Sequence, residues 1–293
     1  MRIVFIGSVF FSKLMLEQLI RLNSNIVGVC TKKKSKFNAD FFDLGKVSLK
    51  YKIPTVYSSD VNSDQTYRWI KKRKPDIIFC LGWSHLIGKR LLKVSSKGTI
   101  GFHPTELPAN RGRHPIIWTL ALGLKKTAST FFFMKKKADD GDIISQRKIS
   151  VRQNDNAQSL YKKIIITASK QIKQIVRELK NNKIKKIKQN NKKGNFWRKR
   201  NVEDGRIDWR MSAHNIYNLS RALSKPYLGA HFFFKSKKII LWKSSIVKVK
   251  NKNIEPGKIM FFLKSKPVVK CGDNAICILK TYPSVKFKLK NHL

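Results

Sequence analysis

Residues 2–6, RIVFI, are almost wholly apolar and run straight into Gly7-Ser8, after which an amphipathic stretch extends to about Leu22. A buried strand, a glycine turn and a helix in that order commit a chain to α/β architecture. The pattern recurs. Asn25 to Cys30 predicts a second strand, Asp43 to Tyr51 a helix, and residues 53–57 (IPTVY) a third strand. Asp64 to Lys72 predicts another helix, followed by the apolar run Asp76 to Leu81. Strands alternating with helices at this spacing predict a Rossmann-like parallel sheet. Ligands of such sheets bind beyond the carboxyl ends of the strands. Gly7, Gly82 and the loop around His103 all fall at such ends.

Further on, Thr127 to Met134 predicts a strand, 135–141 a loop and Ala157 to Lys180 a long helix. Residues 181–195, NNKIKKIKQNNKKGN, are polar and lysine-rich, and predict an exposed crossing between domains. From Phe196 onward, runs such as AHFFF, KIILW and AICILK predict a small β-rich domain of barrel type. The expected organisation is therefore a catalytic domain over 1–180, a basic linker over 181–195 and a C-terminal β-rich domain over 196–293.

The net charge is +46, with 63 basic against 17 acidic residues, which raises tRNA or an anionic membrane as partners. Two features argue for solvated surface instead. Lys outnumbers Arg about three to one, although Arg is the better phosphate fork. The lysines, including the basic loop Thr31 to Lys36, are also spread along the whole chain. No run of eighteen apolar residues occurs, so no membrane span is expected. Lys13 and Glu17 interrupt the apolar N-terminus, which argues against a signal peptide. The four cysteines have no CxxC or zinc spacing, so a reducing cytoplasm is expected and no metal site.

Two segments carry candidate chemistry. In Gly98 to Trp118, GTIGFHPTELPANRGRHPIIW, a strand end meets His103 and then a proline-stiffened loop. In Lys137 to Ile143, KADDGDI, three carboxylates crowd a glycine directly after a strongly apolar strand. Each has an ordinary reading, a structural histidine and an Asp-Gly turn. Together they offer more, because a carboxylate beside an imidazole orients it and favours its protonated form.

The two segments resemble the signatures of the folate-dependent formyltransferases, whose members act on methionyl-tRNA, on glycinamide ribonucleotide and on amino sugars. That pattern is Asn-x-His-Pro, then HPSLLP-x-x-RG, and Asp-x-Gly-Asp about 36 residues after the histidine; His103 and Asp139 are 36 positions apart. Arg198 to Trp209 and His214 to Phe234 resemble the start of the family's C-terminal domain. The resemblance implies formyl transfer from 10-formyltetrahydrofolate to an amine, with His103 and Asp139 as the catalytic pair. It also implies that the pterin lies against Trp83, Leu86, Asp139, Asp140 and Gly141, while a core role for Trp83 stays open. Arg111 and Arg113 are candidates for holding a substrate phosphate, and His85 for lining the pocket.

One position departs from the pattern. Gly101 stands where the family has an Asn that donates to the oxyanion, and losing one such donor costs about 10²–10³ in rate. Gly101 is expected to leave space beside His103 for a water or a backbone N–H to substitute. The expected acceptor is a nucleotide-linked amino sugar. TKKKSKFNADFFDL (31–44) lacks the glycine-rich basic loop of the tRNA enzymes, and KIILWKSSIV (238–247) resembles the aminoarabinose enzyme. Methionyl-tRNA is the alternative, favoured by the charge, and a basic binding protein that has lost activity is a third reading.

Overall fold

The computed structural model describes residues 1–35, 38–289 and 291–293, so the end of the expected basic loop, at Lys36, lies outside them. By its contacts the chain divides into two units. The first comprises Met1–Pro115, Thr127–Ile149 and Lys162–Trp197; the second comprises Ile116–Lys126, Ser150–Tyr161 and Arg198–Leu293.

The first half of the chain runs β1 (Arg2–Ile6), α1 (Phe10–Arg21), β2 (Asn25–Thr31), α2 (Gly45–Lys50), β3 (Thr55–Tyr57), α3 (Asp64–Lys72), β4 (Ile77–Cys80), α4 (Lys89–Leu92) and β5 (Thr99–His103). It continues through β6 (Arg111–Gly112), α5 (Pro115–Ala121), β7 (Lys126–Phe133), β8 (Ile143–Ser150), α6 (Ala157–Lys180) and β9 (Phe196–Trp197). Seven strands form one sheet in the order β3-β2-β1-β4-β5-β7-β8. The pairs from β3 to β5 are parallel, and β7 runs antiparallel to β5 with His103 opposite Thr130.

The chain winds outward from β1 to β3, then returns to lay β4 on the other side of β1. The sheet therefore reverses direction between β1 and β4, the place where such folds open a ligand crevice. Ser12 secures that corner, accepting from the Val9 N–H and donating to the Leu81 carbonyl at 2.6 Å. Both central strands are buried on both faces, which is why Ile3 to Ile6 and Ile77 to Phe79 are uniformly apolar. Each such side chain contributes about 1.5–3 kcal/mol.

The helices start where local chemistry allows. Ser63 caps α3 by accepting from the Thr66 N–H, worth about 1 kcal/mol. The expected helix over Asp43 to Tyr51 is shorter, because Asp43 stays outside it and its carboxylate accepts from the Gly45 N–H at 2.8 Å.

The second unit holds α7 (Ala213–Ala222) and the strands β10 (Ala230–Phe234), β11 (Lys237–Val247), β12 (Ile259–Leu263), β13 (Lys266–Lys270) and β14 (Ala275–Tyr282). These strands form an antiparallel sheet in the order β10-β11-β14-β13-β12. Trp209 packs edge-on against Phe232, and Val268, Ala275 and Cys277 form a buried cluster on the sheet. Ser212 caps α7 by accepting from the Asn215 N–H. No helix among the described residues is long and apolar enough to cross a membrane.

Candidate active site

His103 is the last residue of β5 and is 5% exposed. Its Nε2 donates to the Asn110 carbonyl at 2.8 Å, and its Nδ1 lies 3.6 Å from Oδ2 of Asp139. One ring nitrogen is thus hydrogen-bonded to backbone, and the other faces the carboxylate just beyond hydrogen-bond reach.

The loop after His103 is tied down at several points. Thr127 and Thr130 of β7 donate their hydroxyls to the Pro104 and Thr105 carbonyls, and Gln146 of β8 donates to the Leu107 carbonyl. Asn110 then turns through a positive φ, its N–H donating to the Asn195 side chain. Arg111 and Gly112 pair with Phe196 and Trp197 as β6 with β9. Gly112 has φ +100, and a Cβ there would stand 2.3 Å from the Trp197 carbonyl oxygen, so glycine is required for this close pairing. Its N–H in turn donates to Oδ2 of Asp139 at 3.0 Å.

Asp139 comes from the turn after β7 and also has a positive φ, +53. The turn closes hard on the strand before it. A Cβ on Gly141 would lie 1.4 Å from the Phe133 carbonyl oxygen, so no other residue fits without moving backbone. Asp142 is held by Lys135 at 2.8 Å in a partly exposed ion pair.

The structure brings His103 and Asp139 together as expected from their spacing. It treats the two arginines differently. Arg111, a candidate for holding a substrate phosphate, is 3% exposed and turned inward. Its Nη2 donates to Gln189 at 2.6 Å and Asn191 at 2.8 Å and sits 3.4 Å from the Asp140 carboxylate, so its charge is already committed. Arg113 is half-buried and near enough to His85 to act on it electrostatically.

Trp83, His85 and Leu86 follow β4, at the carboxyl edge of the strand next to β5. Trp83 packs on the cluster containing Cys30, Val61 and Ile87, while Lys32 Nζ stands 4.8 Å from its ring centre. Its Nε1 is buried without a hydrogen-bond partner. Leu86 is 57% exposed. Lys32 donates to His85 Nδ1 at 3.5 Å. Burial, and then the charges of Lys32 and Arg113, hold the His85 imidazole below its ordinary range against a weaker opposing pull from Asp60.

Gly101 does not leave the space that the sequence suggests. It shares a strand face with His103, but a Cβ there would stand 2.8 Å from Met134 Cγ and 3.0 Å from Phe132 Cζ. Met134 and Phe132 fill the place of the absent side chain. Sequence reasoning also missed Gln189, which is buried in an otherwise mostly exposed lysine-rich run. Its amide donates to the carbonyls of Asp139 and Gly141 at 2.8 and 2.6 Å. The available signal was slight, three uncharged amides, Gln189-Asn190-Asn191, interrupting the lysines.

The His103–Asp139 pair lies where ligands of α/β folds bind, beyond the carboxyl end of a central strand. The chain belongs to the formyl transferase family: the family's model, described as formyl transferase, matches residues 1–176, and that of the formyl transferase C-terminal domain matches 199–291. It is a formyltransferase.

Among its relatives, the bifunctional polymyxin resistance protein ArnA of Wigglesworthia glossinidia brevipalpis is 35% identical over 266 residues, 90% of this chain. The chain spans only 40% of that relative's length. A methionyl-tRNA formyltransferase of Caldanaerobacter subterraneus subsp. tengcongensis is 29% identical over 96% of this chain and 91% of its own length. Among solved structures, WlaRD, described as a sugar 3N-formyl transferase in the presence of dTDP and 5-N-formyl-THF, superposes with a TM-score of 0.71. It is 19% identical, over 97% of this chain and 99% of its own. An N-formyltransferase from Helicobacter canadensis in complex with folinic acid and dTDP-3-aminofucose gives a TM-score of 0.73 at 17% identity, over 96% and 99%.

Proposed function

We propose that this enzyme transfers the formyl group of 10-formyltetrahydrofolate to the amine of a nucleotide-linked amino sugar. The observation that carries formyl transfer is the His103–Asp139 pair, in which the end of β5 and the turn after β7 bring the two side chains to 3.6 Å. The donor supplies an activated formyl carbon. The acceptor amine attacks that carbon, the bond from carbon to the donor nitrogen breaks, and the amine proton is relayed to the departing nitrogen. His103 acts on the oxygen where negative charge develops, and Asp139 keeps the imidazole oriented and accepts or relays the amine proton. The residues after β4 suit the donor's ring system. Leu86 presents an apolar surface and Trp83 carries a buried donor without a partner.

The sugar-nucleotide acceptor rests on two supports. The segment after β2, TKKKSKFNADFFDL, has no glycine-rich basic loop. The structures of WlaRD and the Helicobacter canadensis enzyme, described with dTDP and a dTDP-amino sugar, have the same fold. Methionyl-tRNA is the second reading, favoured by the +46 charge and by the near full-length match to a methionyl-tRNA formyltransferase. The deciding experiment is an assay of the purified enzyme with 10-formyltetrahydrofolate against amino-sugar nucleotides and charged initiator tRNA. Formylated nucleotide sugar is expected; formyl-methionyl-tRNA as the sole product overturns the acceptor.

A further inference from the structure

We propose that Gln189 is a positioning residue for formyl transfer, acting solely through Asp139. The turn that carries Asp139 is an awkward one, because Asp139 adopts a left-handed backbone conformation that L residues seldom hold. Side-chain contact with His103 is a further demand on it. The His103–Asp139 approach of 3.6 Å is longer than a hydrogen bond, so a small drift of the turn breaks the pairing.

Gln189 supplies what holds the turn. One carboxamide nitrogen donates to two carbonyls of the same turn, at Asp139 and Gly141, and so spans it. The amide oxygen is fixed in its turn by Arg111 at 2.6 Å. Every donor and acceptor of the carboxamide is used, and the residue is 7% exposed. Arg111 extends the grip by facing the Asp140 carboxylate and bonding Asn191. The anchor is itself anchored: Ile187, two residues earlier, exchanges both backbone hydrogen bonds with Ile143, just beyond the turn. A buried amide that satisfies two backbone carbonyls and receives a buried guanidinium selects one conformation of the turn. That conformation is the one that points Asp139 at His103.

The inference rests on the His103–Asp139 reading above, and its test separates the two. Five proteins are compared: wild type, Gln189→Met, Gln189→Glu, Asp139→Asn and the Gln189→Met/Asp139→Asn double variant. Met preserves the length of the side chain and removes both donors. Gln189→Met is expected to lower kcat by about 10-fold or more, with KM for donor and acceptor within about 2-fold. In the Asp139→Asn background the same change is expected to lower kcat by less than about 2-fold, because the residue through which Gln189 acts is already gone. Gln189→Glu, which keeps the Arg111 contact but not the two donations, is expected to match Gln189→Met. Wild-type kcat in Gln189→Met, or equal losses in the two backgrounds, overturns the proposal. So does loss of the folded state in both Gln189 variants, which would assign the residue to stability alone. Wild-type turnover in Asp139→Asn would instead remove the catalytic pair on which the proposal rests.

Discussion

Oδ2 of Asp139 lies 3.6 Å from Nδ1 of His103 while accepting the N–H of Gly112 at 3.0 Å. The same carboxylate oxygen therefore faces the imidazole and is fixed by the loop on which that imidazole depends. Its orientation comes from backbone, so a change of charge at this position should leave the geometry in place.

Asp139→Asn is accordingly expected to fold normally and to lose at least about 10²-fold in turnover, since the group that orients His103 and handles the proton is gone. Thermal melting and single-turnover formyl transfer check this. Turnover within a few-fold of wild type would take Asp139 out of the chemistry.

Gly101→Asn tests the position where the family pattern breaks. With Met134 Cγ 2.8 Å and Phe132 Cζ 3.0 Å from the new Cβ, the added side chain must displace packed atoms. A loss of about 1–3 kcal/mol in stability and no gain in turnover are expected. A gain of about 10-fold or more would show that Met134 swings aside and that a restored donor reaches the oxyanion.

Gly141→Ala should be among the most damaging single changes in the first unit. Its Cβ would meet the Phe133 carbonyl oxygen at 1.4 Å, and backbone cannot yield as a side chain can. A loss of more than about 3 kcal/mol is expected, beyond ordinary overpacking. Urea denaturation gives the number, and an unchanged midpoint would contradict the packing described.

His85 reports on the cationic edge of the site. Its imidazole is held below the ordinary value of 6.5 by burial and by Lys32 and Arg113. A depressed folded-state pKa means that the unfolded chain binds the proton more readily, so this group opposes folding as the pH falls through 6.5. Lys32→Met should move the His85 titration to higher pH in an NMR experiment. An unchanged midpoint would leave burial and Arg113 as its causes.

The salt dependence of acceptor binding separates the two acceptors. A nucleotide sugar should bind with only modest weakening between about 50 and 200 mM salt, whereas a tRNA held by six or more phosphate contacts should lose about 10³-fold or more. Titrations of both ligands across that range decide it, and a steep loss for tRNA accompanied by product overturns the sugar-nucleotide acceptor.

Local pattern alone determined a good deal. The apolar runs Ile3 to Ile6 in β1 and Ile77 to Cys80 in β4, with the helices between them, required a parallel sheet, because such strands must be covered on both faces. That placed Gly82 and His103 at the carboxyl edge. The resemblance to the formyltransferase signature, with its 36-residue interval, singled out His103 and Asp139. Strand register alone does not bring them together, since His103 lies opposite Thr130 while the turn after β7 leaves beside Thr99, at the other end of β5. What the tertiary structure decided was which polar side chains face inward. Arg111 and Arg113 are two residues apart and look alike in sequence, yet one is buried against Asp140 and Gln189 while the other remains half-exposed. Gln189 lies among lysines with no apolar periodicity to mark it, and the space beside Gly101 is filled by Met134 from another strand end. A residue's neighbours along the chain set its propensity, but the partners that satisfy a buried amide or occupy a glycine's missing volume arrive from 30 or 50 residues away. Here they are Met134 against Gly101, 33 positions apart, and Gln189 against Asp139, 50 positions apart.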